Sequence, residues 1–284
     1  MPELPEVEIT ARLLDSALRG AEIESALAPG INALKTFDPP LAALEGRQVA
    51  GVGRRGKHLV VRIGGHGEPL ALLIHLMSAG RLQLYDKRAG PRDRTSRLLV
   101  RVADGRELRL REFGSKQAAW VKLLRAEDLD SDRALATLGP EAWPDPPALG
   151  EVLDQPRPLH TLLRDQRTIA GIGRSWVDEI LWEAKLSPYK RGADLDAAEL
   201  VGLREAIVGT LSAAIAHYED ILELPLPDKL PLPLRVHRHE TEPCPRCGAT
   251  LRAVHFEDYV IAYCPVCQTD GRTLKDRRLS KLLK

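Results

Sequence analysis

The sequence predicts an α+β protein of more than one domain, with an N-terminal antiparallel β-sandwich or barrel, a helical part and a C-terminal β-hairpin that carries cysteines. Three observations predict this class. Seven short β-type runs separated by turn residues lie between residues 47 and 124. Apolar residues recur with helical spacing after residue 150. All four cysteines lie between residues 244 and 267.

The first predicted element is a helix that begins near Pro5 and ends near Gly20. Proline suits the first helical turn, where its missing N–H leaves no hydrogen bond unmade, and glycine is typical of a helix end. An apolar stripe recurs between them at helical spacing: Val7, Ala11, Leu14 and Leu18.

Seven strands and a helical part follow. The strands are predicted at residues 48–53, 58–63, 70–76, 81–85, 97–102, 107–112 and 118–123. Helices are predicted around residues 158–165, 175–185 and 195–220. Residues 225–239 contain too many prolines for a helix or a central strand, so we expect a loop there. The predicted division is an N-terminal domain over 1–138, a proline-rich linker over 139–150, a helical domain over 151–235 and a cysteine-containing region with a basic tail over 236–284.

Composition and charge restrict the class of protein. Hydrophobic residues make up 44% and charged residues 29% of the chain, as in globular proteins that are not disordered. No run approaches about eighteen uncharged apolar residues, and the N-terminus is acidic where a secretory signal is basic. We therefore expect a cytoplasmic protein that does not enter membranes.

The net charge of +1 conceals local surpluses of positive charge. Arg81–Lys116 contains 11 Lys and Arg against 5 Asp and Glu, and Gln268–Lys284 contains 6 against 2. Because local charge on one face decides whether a protein binds a phosphate backbone, these surpluses predict a basic surface for a polyanion.

The cysteines predict one structural zinc ion. They form two pairs with a two-residue spacer, joined by sixteen residues of strand character: Cys244, Cys247, Cys264 and Cys267. This spacing lets both thiolates of a pair reach the same tetrahedral ion, and four protein ligands leave no position for a reactive water. A disulfide framework is not expected in a chain without a secretory signal.

The N-terminus predicts a nucleophile. A small residue at position 2 usually permits removal of Met1, which would leave Pro2 with a free secondary amine. Glu3 and Glu6 could carry protons beside it. In the alternative interpretation, proline and glutamate simply occupy the first turn of an ordinary helix.

Several separate motifs resemble the formamidopyrimidine-DNA glycosylase family, which includes the endonuclease VIII-type enzymes. They are PELPEVE at the start, RRGKHL at 54–59, FG at 113–114, LGPE at 138–141, LLRDQRTIAGIG at 162–173 and the cysteine pattern. The resemblance implies an N-terminal β-sandwich, a helix–two-turn–helix domain and a C-terminal zinc finger. It also implies an intracellular, nucleoid-associated enzyme of base excision repair, which we expect to act as a monomer on duplex DNA with a damaged base or an abasic site.

The resemblance also implies roles for individual residues. Pro2 matches the nucleophile that attacks the deoxyribose C1′ and forms a Schiff-base intermediate before the strand is cut. Glu3 matches the residue that protonates the opening sugar, and Glu6 matches an acid that orders the site. Lys57 matches a strand-end lysine that assists elimination and contacts phosphate. A flipped nucleotide suits this chemistry, because C1′ is not open to attack inside an intact stack.

Two further residues match the groups that fill the gap left by the flipped nucleotide. Arg111 matches the arginine that pairs with the orphaned base, and Phe113 matches the phenylalanine that wedges into the stack. The glycines of IAGIG should direct backbone N–H groups at a phosphate.

Four positions depart from the family pattern. Met77 stands one place earlier than the family's third void-filling residue. Arg174 replaces an asparagine that binds phosphate, and His160 replaces a common phosphate-binding lysine. Tyr259 replaces the finger arginine that holds the phosphates flanking the lesion, and because tyrosine has no permanent charge we expect β-elimination with weak or absent δ-elimination.

Two other functions remain open at this point. A member of the family that has lost activity would bind damaged DNA without cutting it, and a zinc-stabilised adaptor would bind another protein and no damaged duplex. The sequence does not distinguish 8-oxoguanine, formamidopyrimidines and oxidised pyrimidines as the preferred lesion.

Overall fold

The computed structural model describes residues 2–30, 32–90, 93–113, 117–256 and 259–275. The chain divides into two compact units. The first contains the chain up to Thr137 together with His217–Pro231, and the second contains Leu138–Ala216 and the chain from Leu232 onward. Gly114 and Lys116 near the predicted FG motif, and the basic tail from residue 276, lie outside the described residues.

The first unit is a β-sandwich with a helix beside it. Its helices are α1 (Leu4–Leu18) and the short α2 (Arg133–Ala136). Its strands are β1 (Ile23–Leu27), β2 (Gln48–Arg55), β3 (His58–Gly64), β4 (Leu70–His75), β5 (Gly80–Tyr85), β6 (Ser96–Val102), β7 (Glu107–Glu112) and β8 (Trp120–Arg125). The two antiparallel sheets have the strand orders β1-β6-β7-β5 and β2-β3-β4-β8.

The apolar side chains of both sheets and of α1 form one core. Leu72 of β4, Leu110 of β7 and Leu14 of α1 are completely buried in it. A sandwich, rather than a barrel, is therefore the form that the predicted strands take. All seven predicted strands are present. Strand β1 was not predicted, because its sequence IESAL has a single β-branched residue and its burial does not alternate.

The second unit is helical and ends in a hairpin. Its elements are α3 (Leu149–Leu153), α4 (Leu159–Arg164), α5 (Arg174–Glu183), α6 (Ala197–Ile221), β9 (Arg252–His255), β10 (Val260–Tyr263) and α7 (Pro265–Thr269). Helix α6 continues past Ala216 into the first unit. The three predicted helical segments correspond to α4, α5 and α6. Helix α3 begins at the end of the predicted linker, and β9 pairs with β10 as the strand character between the cysteines predicts.

The proline-rich segment at 225–239 contains neither helix nor strand, as predicted. Its first part belongs to the first unit and is fixed to strand β5. Gln83 donates a hydrogen bond to the Leu226 carbonyl at 2.6 Å, and Arg81 donates one to the Asp228 carbonyl, also at 2.6 Å.

Among the described residues, one helix, α6, is long and apolar enough to cross a membrane by length and composition alone. Core helices of proteins outside membranes pass the same test, and the apolar stripe of α6 is buried within the protein: Leu203, Ile207, Leu211 and Ile215. Length and composition are therefore weak evidence for a membrane span here.

Candidate active site and metal centre

The residues after Pro2 place two buried carboxyl side chains, those of Glu3 and Glu6, at the start of α1. Glu3 is the residue immediately before α1, and its backbone N–H donates to Glu6 Oε2 at 2.7 Å. The hydroxyl of Tyr218 donates to the other Glu6 oxygen at 2.8 Å. Glu3 and Glu6 are only 2% and 3% exposed, whereas Pro2 is half-buried. Both oxygens of Glu6 therefore have fixed donors, and the carboxyl groups are shielded from water next to a partly accessible residue.

A series of contacts aligns α1 antiparallel to β2. Going up the strand, Ala50 accepts a hydrogen bond from Arg19, the Val52 amide donates to Asp15 at 2.7 Å, and Arg54 pairs with Glu8 at 2.8 Å. Residues further along β2 therefore contact residues nearer the N-terminal end of α1.

The predicted elimination residue, Lys57, lies in the turn after β2. Gly56, with a φ of +55°, and Lys57 connect β2 to β3. The direction of the contacts along β2 favours a position of Lys57 near the start of α1, and its place beside Pro2 and Glu3 stays a prediction. Lys57 is 7% exposed, so its ammonium is not an ordinary solvated surface charge.

A row of rings crosses the sheet beside Lys57. His58, His75 and Trp120 are paired in register on β3, β4 and β8, and their ring centroids are 4.6 to 5.7 Å apart. Burial lowers the pKa of His58 to about 4 and that of His75 to about 3. Both imidazoles are therefore neutral at pH 7. The Met77 amide donates to His75 Nδ1 at 2.9 Å, which makes that nitrogen the acceptor.

Met77 lies in the turn between β4 and β5. Its φ of +49° is left-handed, a conformation that is uncommon outside glycine, and its side chain is half-buried. The hydrogen bond from its amide to His75 ties this backbone to the row of rings. Its contact with DNA remains a prediction.

The structure brings Arg111 and Phe113 together at the end of β7. The Arg111 guanidinium carbon lies 4.5 Å from the centre of the Phe113 ring. Arg111 also donates to the Tyr85 hydroxyl at 2.7 Å and to Thr95 Oγ1 at 3.0 Å, and its Nη1 is 3.7 Å from an Asp228 carboxylate oxygen. If Arg111 contacts an unpaired base, its guanidinium therefore has to give up hydrogen bonds to acceptors of the protein and form new ones to acceptors of the base. No sequence pattern indicated Tyr85 or Asp228 as partners of Arg111, because these contacts join distant strands and a loop.

Gln166 organises the glycine-containing loop between α4 and α5. Its side chain donates to the Ile172 carbonyl at 2.7 Å and accepts from the Gly171 amide at 3.0 Å. Gly171 has a φ of +107°, which strongly favours glycine, and Gly173 precedes the first residue of α5, Arg174. Gln166, which belongs to the same motif, therefore fixes the loop before α5, and phosphate binding by the backbone N–H groups there stays a prediction.

His160 does not occupy an exposed position. It is 1% exposed, and its Nε2 lies 3.5 Å from an oxygen of the buried Asp178. The other Asp178 oxygen is 2.7 Å from His237 Nδ1 and accepts a hydrogen bond from the Ala262 amide at 3.0 Å. The side chain is enclosed in a buried polar cluster that connects α5 to the hairpin, and the contact of His160 with phosphate stays a prediction.

Glu179, next to Asp178, fixes the segment that leads to the hairpin. Its carboxylate accepts hydrogen bonds from the backbone amides of Arg235, Val236 and His237 at 2.9 to 3.0 Å. Consecutive acids on one buried helix are unusual. Both oxygens of Glu179 accept hydrogen bonds, whereas Asp178 is bonded through Oδ2 and its Oδ1 has no hydrogen-bond partner among the described residues.

The cysteines converge on one point, as predicted. Their sulfurs all lie within 4.8 Å of one another, with 3.5 Å between Cys247 and Cys264 and 4.0 Å between Cys244 and Cys267. In a tetrahedral site with zinc–sulfur bonds of about 2.3 Å, neighbouring sulfurs are about 3.8 Å apart. The four thiols therefore fit a single metal ion.

Trp182 of α5 supports this cluster. Its indole N–H donates to Cys244 Sγ at 3.3 Å. Burial favours the thiol form of Cys244, but this bond and backbone N–H donors lower its pKa below the usual range. The guanidiniums of Arg235 and Arg246 lie 4.4 and 4.1 Å from the centre of the Trp182 ring. A thiolate that already has a donor is suited to metal binding.

Comparisons with known proteins agree with this architecture. Residues 1–115 match the formamidopyrimidine-DNA glycosylase N-terminal domain, and residues 144–224 match the formamidopyrimidine-DNA glycosylase H2TH domain. The Lactococcus lactis Fpg, solved in complex with DNA containing an abasic site, superimposes with a TM-score of 0.83 at 27% sequence identity, covering 94% of this chain and 100% of that one. The fold is thus that of a protein with an H2TH domain and a β-sandwich.

Sequence relatives define the family. The formamidopyrimidine-DNA glycosylase of Roseiflexus sp. is 33% identical over 288 residues, which cover 94% of this chain and all of the relative. That of Lactococcus lactis subsp. cremoris is 30% identical over 285 residues, covering 94% and 99%. An uncharacterised formamidopyrimidine-DNA glycosylase-like protein of Mycobacterium tuberculosis is 44% identical over 126 residues, covering 44% and 80%. The chain belongs to the formamidopyrimidine-DNA glycosylase family.

Proposed function

We propose that the protein is a bifunctional DNA glycosylase of base excision repair, which removes an oxidised base from duplex DNA and cuts the strand at the resulting abasic site. One observation carries the proposal. Pro2 directly precedes a helix whose start holds two buried carboxyl side chains, Glu3 and Glu6. Removal of Met1 would convert the Pro2 nitrogen from an amide into a secondary amine, which is a nucleophile when unprotonated.

The proposed chemistry begins at C1′ of a flipped nucleotide. The Pro2 nitrogen forms a bond to C1′ as the bond from C1′ to the base breaks, and the base leaves with a proton. The sugar ring opens when its oxygen takes up a proton, and an iminium forms between Pro2 and C1′. Loss of a proton from C2′ then expels the 3′-phosphate, and water releases the sugar and regenerates the amine.

The neighbouring side chains have distinct roles in this scheme. Glu3 supplies the proton to the opening sugar. Glu6 is a positioning residue, since its carboxylate joins the Glu3 amide to the Tyr218 hydroxyl. Lys57, in the turn after β2, contacts the phosphate and assists elimination; the direction in which α1 aligns on β2 supports this role.

Other residues would hold the DNA. Arg111 and Phe113, which contact each other, would fill the gap left by the flipped nucleotide together with Met77. Arg174 would bind phosphate at the start of α5. The four cysteines would hold one structural zinc ion that folds the hairpin and takes no part in bond breaking. We expect a monomer that works on DNA inside the cell.

Borohydride trapping tests the catalytic proposal. Reduction of the iminium by borohydride should link the Met-processed protein covalently to a duplex with one abasic site, and peptide mapping should place the link at Pro2. Protein that retains Met1 is the matched control and should give no adduct, because its position 2 nitrogen is an amide. Mass spectrometry of the intact chain identifies the two forms. An adduct mapped elsewhere, or equal adduct in both forms, would overturn the role of Pro2.

A binding protein without catalysis is the second candidate. Tyr259 and Arg174, which replace the family's arginine and asparagine, are the positions that favour it. Tight binding of an abasic duplex without any trapped adduct would support this candidate. An adaptor protein would bind no damaged duplex at low salt.

A further inference from the structure

Tyr259, the residue just before the second hairpin strand β10, lies among two rings and two guanidiniums. Its ring is parallel to that of Phe256 within 6°, at a centroid distance of 4.5 Å, and parallel to that of His160 within 8°, at 5.7 Å. The guanidinium carbon of Arg164 lies 4.0 Å from the ring centre, and that of Arg174 lies 5.4 Å from it. The tyrosine that replaces the finger arginine is therefore surrounded by the helical domain's own positive charges.

Arg164, the last residue of α4, differs from its neighbouring arginines. Arg157 and Arg167 both pair with Asp165, at 3.2 and 3.1 Å. Within the described part of the chain, Arg164 makes no ion pair, and its Nη1 is buried without a hydrogen-bond partner. A buried donor without a partner is costly, so this group has an unmet requirement for an acceptor.

The surroundings of Arg164 suit an anion with several oxygens. A planar guanidinium stacked on an aromatic ring is oriented before a ligand arrives and can donate two parallel hydrogen bonds to one phosphate. Arg174, near the same ring, begins the ten-residue helix α5, whose N-terminal end also favours negative charge. The acids close to Arg164 in the fold have other partners: Asp165 pairs with Arg157 and Arg167, and Asp178 is turned to His160, His237 and the Ala262 amide.

We propose that Arg164 binds a DNA backbone phosphate and that Tyr259 positions its guanidinium by stacking. In the family an arginine of the zinc finger supplies this positive charge. Here Arg164 of α4 supplies it, and the ring of Tyr259 supports the guanidinium. This proposal rests on the proposed function, because it names the residue that replaces the missing finger arginine in holding DNA.

Salt-dependent binding tests the proposal. The probe is a duplex with one tetrahydrofuran abasic analogue, and affinity is measured by fluorescence anisotropy over a range of potassium chloride concentrations. Arg164→Ala should weaken binding roughly tenfold. The slope of log K against log salt should become shallower by about 0.9, the value for one lost phosphate contact.

Three variants separate this role from a general charge effect. Arg167→Ala removes a positive charge three residues further along the chain, on a side chain that is 76% exposed and already paired. It should change affinity less than twofold, because such surface charges contribute little. Tyr259→Phe keeps the ring and should bind like the wild type, whereas Tyr259→Leu should resemble Arg164→Ala. Bound zinc and the thermal midpoint of each variant establish that it is folded.

The outcomes are distinct from those of the trapping experiment. Equal losses in Arg164→Ala and Arg167→Ala, or a wild-type slope in Arg164→Ala, would overturn the role of Arg164 and leave the chemistry of Pro2 standing. Failure of the wild type to form an adduct, together with a shallower slope in Arg164→Ala, would overturn catalysis alone. No binding of the duplex by the wild type at low salt would overturn both.

Discussion

The hydroxyl of Tyr218 donates a hydrogen bond to Glu6 Oε1 at 2.8 Å, although 212 residues separate the two in the chain. Burial, together with the negative charge of Glu6, raises the pKa of Tyr218 above its usual range. The hydroxyl therefore stays protonated at all working pH values and always donates. It fixes the orientation of a carboxylate whose other oxygen holds the Glu3 amide.

Tyr218→Phe should slow base removal about tenfold, since a hydrogen bond to a charged group is worth about 1.5 to 3 kcal/mol and part of that orients the site. The measurement is single-turnover cleavage of a lesion-containing duplex, with the thermal midpoint as a check on folding. Glu219→Gln, which alters the exposed neighbour that pairs with Arg12, is the matched control. Equal rates in both variants would refute a positioning role for Tyr218.

Two histidines of the sandwich, His58, which is buried, and His75, which is half-buried, predict a loss of stability in acid. Burial lowers the pKa of His58 to about 4 and of His75 to about 3, below the ordinary value of about 6.5 that applies in the unfolded chain. The unfolded state therefore binds more protons as pH falls from 6.5 toward 4. Stability should be constant above pH 7 and should fall by roughly 1 to 2 kcal/mol for each histidine between pH 7 and 5.

Urea unfolding of the whole chain at pH 7.5, 6 and 5 measures this effect. His66→Asn, at an exposed position on the turn after β3, should leave the pH dependence unchanged. His58→Asn should reduce the difference between pH 7.5 and 5, whatever its effect on stability at pH 7.5. The interpretation fails if both variants retain the full wild-type pH dependence.

Zinc should be required for the hairpin to fold. The cluster holds four thiols in a geometry that suits one ion, and metal binding supplies folding free energy where the hydrophobic cluster around it is small. Purified protein should contain about one zinc per chain by mass spectrometry of the metal. Cys247→Ser should lower zinc content and duplex affinity together. Thr250→Ser in the same hairpin should retain both, and a zinc-free wild type with full affinity would contradict the prediction.

The sequence predicted those features that depend on local patterns. Seven strands and the cysteine cluster follow from alternation, turn residues and spacing, and each is present. Contacts between segments that are distant in the chain are not indicated by any local sequence pattern. Tyr218 lies on an apolar helix and Asp228 in a proline-rich loop, and neither position suggests that it faces Glu6 or Arg111.

His160 shows that a motif also does not predict the surroundings of its own residues. Its position in the motif suggested a phosphate contact, but the residue that decides its environment, Asp178, lies on the next helix. The replacement of the finger arginine by Tyr259 was visible in the sequence, yet the stacking of Arg164 on its ring depends on the approach of the hairpin to α4. Residue type alone does not determine which charge lies over which ring.

The pairing of Arg111 with Asp228 predicts a change in how the protein reads the base opposite the lesion. Asp228 is 59% exposed and lies 3.7 Å from Arg111, so this ion pair contributes at most about 1 kcal/mol. Asp228→Asn should therefore raise affinity for an abasic-analogue duplex up to about fivefold. The reason is that Arg111 has to break its interaction with residue 228 when it binds DNA, and the interaction with asparagine is weaker. Glu223→Gln removes one exposed negative charge from the same loop and is the control for general electrostatics.

The base opposite the abasic site separates the two effects. Removal of a general negative charge should raise affinity for every opposite base by the same factor. Release of Arg111 should raise it most where the orphaned base presents acceptors to a guanidinium, as guanine does through O6 and N7. Anisotropy measurements with all four opposite bases compare Asp228→Asn with Glu223→Gln. Equal factors for all four bases in both variants would show that Asp228 does not restrain Arg111.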